Sequence, residues 1–210
     1  MLKVFIADDH VIVREGLKQI VAETSDIVVA GEAGNGHEAL NNILKNNYDV
    51  VILDISMPGI NGLDVLKQLK SQKPKIPVLI LSIHPEEHYA VRSLKAGASG
   101  YLTKESAPNE LILAIRKISA GGKYVSSSLA EKLAFGLEVN AKKALYETLS
   151  DREYQVMCMI ASGNTVKEIA EKLFLSPKTI STYRSRILGK TNMKHSAELT
   201  SYAIKLGLVD

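Results

Sequence analysis

The chain has 210 residues, 46% of them hydrophobic and 23% charged, with a formal net charge of +3 at pH 7. This suits one large or two small globular domains, and no apolar run reaches the roughly 18 residues of a membrane-spanning helix. The single cysteine excludes an intrachain disulfide and a cysteine-cluster metal site. Because the N-terminus reads as a strand rather than a signal peptide, we expect a cytoplasmic protein.

Residues 1–122 alternate between apolar runs and helical patterns. The predicted strands lie near residues 2–7, 27–31, 49–53, 76–82 and 99–102, and the predicted helices near 11–24, 37–46, 62–71, 86–96 and 108–120. Five strand–helix units in this order indicate an α/β domain, a five-stranded doubly wound parallel sheet with helices on both faces.

Three carboxylates are predicted to meet at one edge of this sheet. Asp8 and Asp9 follow the first strand, and Asp54 follows the third. Ligands bind at the carboxyl ends of strands in open α/β sheets, where the strand order switches. Crowded carboxylates repel one another unless a cation sits between them, and all-oxygen ligation suits Mg²⁺. The sequence therefore predicts a magnesium site at this edge.

A glycine-rich stretch offers an alternative. Residues 34–39, Gly-Asn-Gly-His-Glu-Ala, match a dinucleotide-binding fingerprint, and Asp54 lies 20 residues after Gly34. Against a dinucleotide-binding enzyme, the glycines follow the second strand, the predicted sheet has five strands rather than six, and the acid pair is left unexplained.

The C-terminal part differs in pattern and charge. Residues 123–147 are predicted to form a partly helical linker, and residues 148–210 a small all-α domain. Residues 148–210 contain 9 Lys and Arg against 6 Asp and Glu, whereas residues 1–123 contain 14 of each. The positive charge is therefore concentrated in the C-terminal domain, which favours an acidic partner such as nucleic acid.

Three helices are predicted at the start of this domain. Ser150 and Glu153 form a capping-box pattern, residues 166–173 have one apolar face, and Ser176-Pro177 starts a helix that ends near Lys190. The polar surface of that last helix combines short side chains with cations. These are Lys178, Thr179, Ser181, Thr182, Arg184, Ser185, Arg186 and Lys190. The pattern fits a helix-turn-helix in a DNA major groove, and a helical bundle with a solvated basic surface is the alternative.

Together these residues resemble a known family. Asp8-Asp9, Asp54, residues 57–59 (Met-Pro-Gly), Ser82 and residues 101–104 (Tyr-Leu-Thr-Lys) have the order and spacing of bacterial response-regulator receiver domains. Residues 149–180 resemble a LuxR-type helix-turn-helix. These motifs cover nearly the whole chain except the linker. On these motifs, the chain is identified as a member of the NarL/FixJ family, and it is similar to the GacA-type branch.

The resemblance implies a phosphorylation site in the acid cluster. Asp54 would accept the phosphoryl group as a carboxylate nucleophile. Asp9 and Asp54 would ligate Mg²⁺ directly, Asp8 through water, and Ser56 through its backbone carbonyl.

It also implies a switch around this site. Lys104 and the Ser82 hydroxyl would bind phosphoryl oxygens, and Tyr101 would swing inward as Ser82 moves. Ser56 and His84, each two residues beyond a site residue, would tune dephosphorylation.

The implied function is a two-component response regulator, a transcription regulator rather than an enzyme. Its partners would be a sensor histidine kinase and double-stranded DNA, with a homodimer formed on phosphorylation and no membrane contact. A phosphorylation-independent DNA-binding regulator is the alternative within the same fold. Ser181 and Tyr183 stand where the broader family commonly has Lys and His, so the base readout of other members does not transfer to this chain.

Overall fold

The structure is a computed structural model that describes residues 1–83, 86–127, 129–131 and 145–209. The chain divides into two compact units, Met1–Glu138 and Val139–Asp210. The predicted linker, 123–147, lies across this division and partly outside the described residues, so its boundaries stay a prediction.

The N-terminal unit contains a five-stranded parallel sheet with the strand order β2-β1-β3-β4-β5. Its elements are β1 Leu2–Ala7, α1 Val11–Ala22, β2 Ile27–Ala33, α2 Gly36–Lys45, β3 Val50–Asp54, α3 Gly62–Gln72, β4 Val78–Ser82, α4 Glu86–Lys95, β5 Gly100–Thr103 and α5 Ala107–Ser119. The predicted doubly wound α/β sheet is confirmed. Because the chain goes from β1 outward to β2 and then returns to β3 on the other side, the switch in strand order lies between β1 and β3.

The two central strands explain why the sequence reads as apolar runs. All five residues of β3 and all five of β4 are buried, as expected for parallel strands covered by helices on both faces. Helices α1 and α5 contact each other, and so do α2 and α3. A core of branched apolar side chains from β1, β3 and β4 packs against α1 and α5.

One glycine fixes the chain beside the end of β3. A Cβ on Gly62 would lie 1.9 Å from the Asp54 carbonyl oxygen, so only glycine allows this approach. The Gly62 backbone N–H donates to the Ile55 carbonyl at 2.9 Å, and Asn61 caps α3 by accepting from the Asp64 N–H at 2.8 Å. The loop after Asp54 is thereby held close to the end of the strand.

The chain after α5 remains attached to the N-terminal unit. Tyr124 pairs with Gly100 at the edge of β5, and its hydroxyl donates to Glu110 at 2.6 Å. The Ser126 hydroxyl donates to Glu86 at the start of α4 and accepts from the Leu129 N–H at 3.1 Å. The first residues of the predicted linker therefore pack on β5 and α4.

The C-terminal unit is helical. It contains a 3₁₀ helix, Leu145–Thr148, and the helices α6 Asp151–Ala161, α7 Val166–Lys172, α8 Pro177–Thr191 and α9 Ser196–Lys205. The predicted capping box of Ser150 and Glu153 is present, and Thr165 and Glu168 form a second one at α7. Ser176 caps α8 by accepting from the Thr179 N–H at 3.1 Å. Helices α7 and α8 form the helix-turn-helix.

The turn between α7 and α8 contains a bulky residue in an unfavourable conformation. Phe174 has a φ of +53°, in the left-handed region, and its side chain is 72% exposed. Left-handed backbone costs a residue with a Cβ roughly 1–2 kcal/mol. No apolar burial offsets that cost here.

Candidate functional site

The acid cluster forms at the carboxyl ends of β1 and β3, as predicted. Parallel pairing places Ala7 beside Leu53, so Asp8 and Asp9, which follow β1, meet Asp54, the last residue of β3. Ligand atoms of these three acids and of His10 all lie within 4.8 Å of one another. The switch in strand order is what brings residues 46 positions apart into one pocket.

Lys104 enters this pocket from the end of β5. Its ammonium Nζ lies 2.6 Å from Asp8 Oδ2 and 3.1 Å from Asp54 Oδ2. Both carboxylates are 1% exposed and the lysine side chain is 12% exposed. The pocket therefore holds two buried negative charges against one cation, with Asp9 at its rim.

Burial governs the electrostatics of Asp54. Desolvation and the nearby Asp8 raise the pKa of Asp54, whereas Lys104 and the Ser56 backbone N–H, which donates to the carboxylate, lower it, and the net result is a pKa of about 6. Burial lowers the pKa of Lys104, but Asp54 and Asp8 outweigh it and the net shift is upward. The lysine stays charged, and the pocket keeps an excess of negative charge.

The carboxylate oxygens of the acid cluster are suitable ligands for a divalent cation. Among the described residues, Asp54 Oδ1 is a buried carboxylate oxygen to which no group donates a hydrogen bond. It lies in a cluster of carboxylate oxygens, the donors that hard cations prefer. A cation bound there would supply the contact that Oδ1 lacks and offset the repulsion between the acids.

The sequence interpretation missed His10. Its ring Nδ1 lies 2.8 Å from Asp9 Oδ1 and 3.2 Å from Asp8 Oδ1, and its backbone N–H donates to Asp8 Oδ1 at 2.9 Å. The only available signal was adjacency to the acid pair. His10 therefore restrains both carboxylates from the mouth of the pocket.

The expected switch residues lie on the two strands beyond β3. Ser82 ends β4 and Tyr101 lies within β5, and both side chains are buried. The Lys104 backbone N–H donates to the Ser82 carbonyl at 2.8 Å. Lys104 and Ser82 are thus joined at the sheet edge that holds Asp54. Ser56, half-buried, lies in the loop after β3, and His84 lies outside the described residues.

The glycine-rich stretch has a packing explanation. A Cβ on Gly36 would lie 2.1 Å from the Ile60 carbonyl oxygen, so glycine is required where α2 starts against the neighbouring loop. Asn35 accepts from the Glu38 N–H at 2.9 Å and caps α2. The Gly-Asn-Gly sequence therefore serves a close helix–loop contact and a helix cap.

The predicted recognition helix, α8, has the two faces that the sequence indicates. Ile180 and Ile187 are fully buried, whereas the polar side chains between Lys178 and Lys190 are exposed or half-buried. The exposed ones are Lys178, Ser181, Thr182, Arg184, Ser185, Arg186 and Lys190, with Thr179 half-buried. An open groove of about 310 Å³ runs along this side of the helix, lined in part by Lys178, Thr182 and Arg186.

The hydroxyls on this helix are not equivalent. Thr182 donates to the Lys178 carbonyl at 3.0 Å, and Ser185 donates to the Ser181 carbonyl at 3.1 Å. Within the described part of the chain, the Ser181 hydroxyl has no such bond. Ser181 therefore offers both a donor and an acceptor to a partner, whereas the other two offer mainly acceptors.

Lys190 also differs from the other cations of α8. Its Nζ lies 2.6 Å from Glu153 Oε2, and the Glu153 side chain is 4% exposed. Burial raises the pKa of Glu153, but Lys190 and Ser150 outweigh it and the net shift is downward. Lys190 thus joins α8 to the start of α6.

Over the residues that the structure describes, none of the helices is long and apolar enough to cross a membrane.

Two family descriptions match the two units. "Response regulator receiver domain" matches residues 4–116, and "Bacterial regulatory proteins, luxR family" matches residues 147–203. The curated protein "Response regulator UvrY" of Escherichia coli (strain K12) is 39% identical over 209 residues, covering 99% of this chain and 96% of that protein. "Response regulator GacA" of Pseudomonas aeruginosa is 37% identical over 211 residues, covering 100% and 99%.

One similar solved structure covers nearly the whole chain, and another covers two thirds of it. RcsB of Salmonella enterica serovar Typhimurium, bound to promoter rprA with the phosphomimetic BeF₃⁻, is 29% identical with a TM-score of 0.65, covering 96% of this chain and 98% of that one. A two-component response regulator of the LuxR family from Aurantimonas is 31% identical with a TM-score of 0.61, covering 66% and 99%.

Proposed function

Because the chain belongs to the bacterial response regulators that join a receiver domain to a LuxR-type helix-turn-helix domain, we propose that Asp54 accepts a phosphoryl group from a sensor histidine kinase. The chain is a transcription regulator of two-component signalling and not an enzyme in the usual sense. The observation that carries the proposal is the convergence of Asp8 and Asp9 on the buried carboxylate of Asp54, which also contacts Lys104.

Asp54 is suited to nucleophilic attack. One of its oxygens attacks phosphorus, the bond from phosphorus to the donor breaks, and the donor leaves with the electron pair, as acetate does when acetyl phosphate is the donor. The product is an acyl phosphate on Asp54. Lys104, 3.1 Å from the carboxylate, would balance the added charge of about −1.5 to −2.

The resident cation would be Mg²⁺. Asp9 and Asp54 would bind it directly, Asp8 through water, and Ser56 through its backbone carbonyl. The bound ion offsets repulsion between the carboxylates and the incoming phosphoryl oxygens. Asp54 Oδ1, which accepts no hydrogen bond from the described residues, supports this assignment because it needs a positive partner.

The phosphoryl group would be sensed at the ends of β4 and β5. The Ser82 hydroxyl would donate to a phosphoryl oxygen, and Tyr101 would pack inward when Ser82 moves. Ser56 and His84 would flank the path of the hydrolytic water and set the lifetime of the acyl phosphate. Both positions would therefore alter dephosphorylation without altering the DNA affinity of the phosphorylated form.

The output would be binding to double-stranded DNA through α8, by a homodimer that forms on phosphorylation, in the cytoplasm. Lys178, Arg184, Arg186 and Lys190 would contact phosphates. The hydroxyl side chains of Ser181, Thr182 and Ser185 would face base edges, and Thr179 would also contact the DNA. An RcsB–promoter complex with a phosphomimetic is among the similar structures, which supports coupling of phosphorylation to DNA binding.

The test is mass spectrometry of the protein incubated with acetyl phosphate and Mg²⁺. We expect the intact protein to gain the mass of one phosphoryl group and the Asp54→Asn variant to gain none. Asp26→Asn, which changes an exposed aspartate paired with Arg116, is the matched control and should be phosphorylated normally. Full labelling of Asp54→Asn contradicts the assignment.

A second measurement separates this function from phosphorylation-independent DNA binding. DNA fragments retained from a random pool supply a specific probe, and its affinity is compared before and after phosphorylation. We expect tighter binding after phosphorylation in the intact protein and no change in Asp54→Asn. Equal affinity of both forms favours the phosphorylation-independent regulator.

A further inference from the structure

Arg14, in the first turns of α1, reaches back to the acid cluster without touching a carboxylate of the cluster. Its guanidinium Nη1 donates to the backbone carbonyl of Asp8 at 2.8 Å. The side chain is 14% exposed, and its Nε lies 3.5 Å from Glu32 Oε2 on β2. A half-buried guanidinium thus connects the β1–α1 turn with the neighbouring strand.

The Asp8 carbonyl, which Arg14 binds, lies just beyond the end of the pairing between β1 and β3. The pairing of β1 with β3 ends at Ala7 and Leu53. On the other side, the Asp8 backbone N–H still donates to the Ala33 carbonyl at 3.2 Å. The Asp8 N–H is therefore held by β2, and the Asp8 carbonyl is held by Arg14.

The orientation of the peptide between Asp8 and Asp9 affects the direction in which the Asp9 side chain leaves the backbone. If this peptide rotates, the Asp8 carbonyl leaves the guanidinium, and the Cα–Cβ direction of Asp9 changes with it. The Asp8 carboxylate is itself tied to His10 and Lys104. Arg14 adds a hydrogen bond to the Asp8–Asp9 peptide itself, which these side-chain contacts do not bind.

The other end of Arg14 is anchored by charge. Glu32 also pairs with Lys18, with an Nζ–Oε2 distance of 2.6 Å. The hydrogen bond from Lys18 is the main cause that lowers the pKa of Glu32, and Arg14 contributes to the same shift. Glu32 therefore stays ionised at neutral pH and provides a fixed negative charge for the guanidinium.

We propose that Arg14 is a positioning residue of the phosphorylation site, which holds the Asp8–Asp9 peptide in the orientation that binds the divalent cation. The proposal rests on the proposed function of the acid cluster as a Mg²⁺ site. Groups that orient metal ligands typically change metal affinity 10- to 100-fold when removed. Arg14→Gln keeps a polar side chain but is too short to join the Asp8 carbonyl to Glu32, so we expect about a tenfold weaker Mg²⁺ affinity.

The experiment compares the free energy of unfolding of the full chain with and without Mg²⁺. A ligand that binds only the folded state stabilises it according to its Kd. At Mg²⁺ concentrations well above both Kd values, a tenfold weaker Kd lowers the Mg²⁺-induced stabilisation by about 1.4 kcal/mol. A merely structural role for Arg14 would lower stability equally in both conditions and leave the increment unchanged.

Two further variants complete the design. Arg116→Gln breaks a bidentate surface pair with Asp26 in the same unit and should keep the increment of the intact protein. Arg14→Lys keeps the charge but loses the planar fork, so we expect an intermediate loss of about threefold in Mg²⁺ affinity. If Arg14→Gln does not fold, Arg14→Lys carries the test.

The outcomes are distinguishable. No stabilisation by Mg²⁺ in the intact protein overturns the proposed metal site, and the role of Arg14 with it. Stabilisation of the intact protein together with an unchanged increment in the folded Arg14 variants overturns the positioning role alone. A reduced increment in the Arg14 variants, with Arg116→Gln unaffected, supports it.

Discussion

The two units of this protein hold charge in opposite ways. In the N-terminal unit, Asp8 and Asp54 are 1% exposed, and Lys104 reaches them from a third strand. In the C-terminal unit, Lys178, Arg184 and Arg186 are exposed on one helix. The first arrangement concentrates charge on a point, and the second distributes it along a surface.

The difference matches the ligands that each unit is suited to bind. A small multivalent group, such as a divalent cation or a phosphoryl group, is bound most strongly by buried charges that converge on it, because a low local dielectric strengthens each contact. A polyanion such as DNA carries charge along its length and releases counterions to exposed cations. Substitutions in each unit test this contrast between convergent and distributed charge.

The largest effect should come from removing the positive charge of Lys104, which pairs with Asp8 and Asp54. Lys104→Met leaves Asp8 and Asp54 buried without their partner, and the loss of one member of a buried pair typically costs about 3–5 kcal/mol. We expect a loss of this size in the free energy of unfolding at pH 7, measured with urea in the presence of a metal chelator. Adding Mg²⁺ should restore part of it, because the ion replaces the lost positive charge.

Two variants control this result. Lys18→Met removes a surface lysine that pairs with Glu15 and Glu32, and it should cost less than about 1 kcal/mol. Adding Asp54→Asn to Lys104→Met should recover most of the lost stability. If Lys104→Met is no less stable than the surface variant, the pocket does not depend on convergent charge.

The next effect concerns pH. The folded pKa of Asp54, about 6, lies above its ordinary value of 3.8, so the folded state binds this proton more tightly than the unfolded state. Stability is therefore lost as pH rises from about 4 to about 6, on the order of 2–3 kcal/mol without divalent cation. The Asp54→Asn variant should not show this loss. Its free energy of unfolding should exceed that of the intact protein at pH 7 and equal it near pH 3.5.

The measurement is urea unfolding across this pH range in chelator. Asp26→Asn, which removes an exposed carboxyl whose pKa is lowered by Arg116, is the control and should not gain stability at pH 7. Parallel stability–pH curves for Asp54→Asn and the intact protein would show that Asp54 is not the group responsible.

Much of the fold could be predicted from the sequence because its signals are local. The central strands are apolar up to their last residues, Asp54 and Ser82, and the caps at Ser150 and Ser176 are short-range patterns. The acid cluster could be predicted because chain order and parallel pairing together bring strand ends to one edge. Asp8-Asp9, which directly follow β1, and Asp54, which ends β3, carried this signal, whereas the place of Lys104 was expected only from the family resemblance.

The contacts that the sequence did not indicate are those that depend on side-chain direction. Nothing in the pattern around Arg14 distinguishes a solvated arginine from one bound to the Asp8 carbonyl, because its partners lie on a turn and on another strand. Lys190 likewise reads as one more cation of α8, yet it contacts Glu153 of the α6 capping box. Long flexible side chains take their roles from packing that periodicity does not encode.

On the distributed surface, single changes should have smaller effects that separate by role. Lys178→Ala should weaken binding to specific and random DNA alike and lower the slope of log affinity against log salt by about one unit. Ser181→Ala should weaken binding to the specific fragment by about 1 kcal/mol or more, and it should leave binding to random DNA nearly unchanged. Binding titrations at several salt concentrations measure both.

Two further variants serve as matched controls. Lys190→Ala should affect DNA less than Lys178→Ala, because this lysine is paired with Glu153, and it should also lower the stability of the C-terminal unit. Ser162→Ala, at the end of α6, removes a hydroxyl outside α8 and should leave the binding of both DNAs unchanged. An equal loss on both DNAs for Ser181→Ala, or a selective loss at one base pair for Lys178→Ala, means that the two faces are assigned wrongly.

The smallest effect should be a gain in stability at the turn of the helix-turn-helix. Phe174 has left-handed backbone and a side chain that is 72% exposed, so it pays a conformational cost without an offsetting burial. Asn tolerates this conformation better because its short polar side chain bonds locally. We expect Phe174→Asn to stabilise the C-terminal unit by about 0.5–1 kcal/mol, seen as a higher midpoint in urea.

Asn192, already left-handed at φ +56°, provides the converse control: Asn192→Phe should destabilise the unit by a similar amount. If Phe174→Asn lowers the midpoint, the phenyl ring makes a stabilising contact that outweighs its backbone cost, and the turn is not strained.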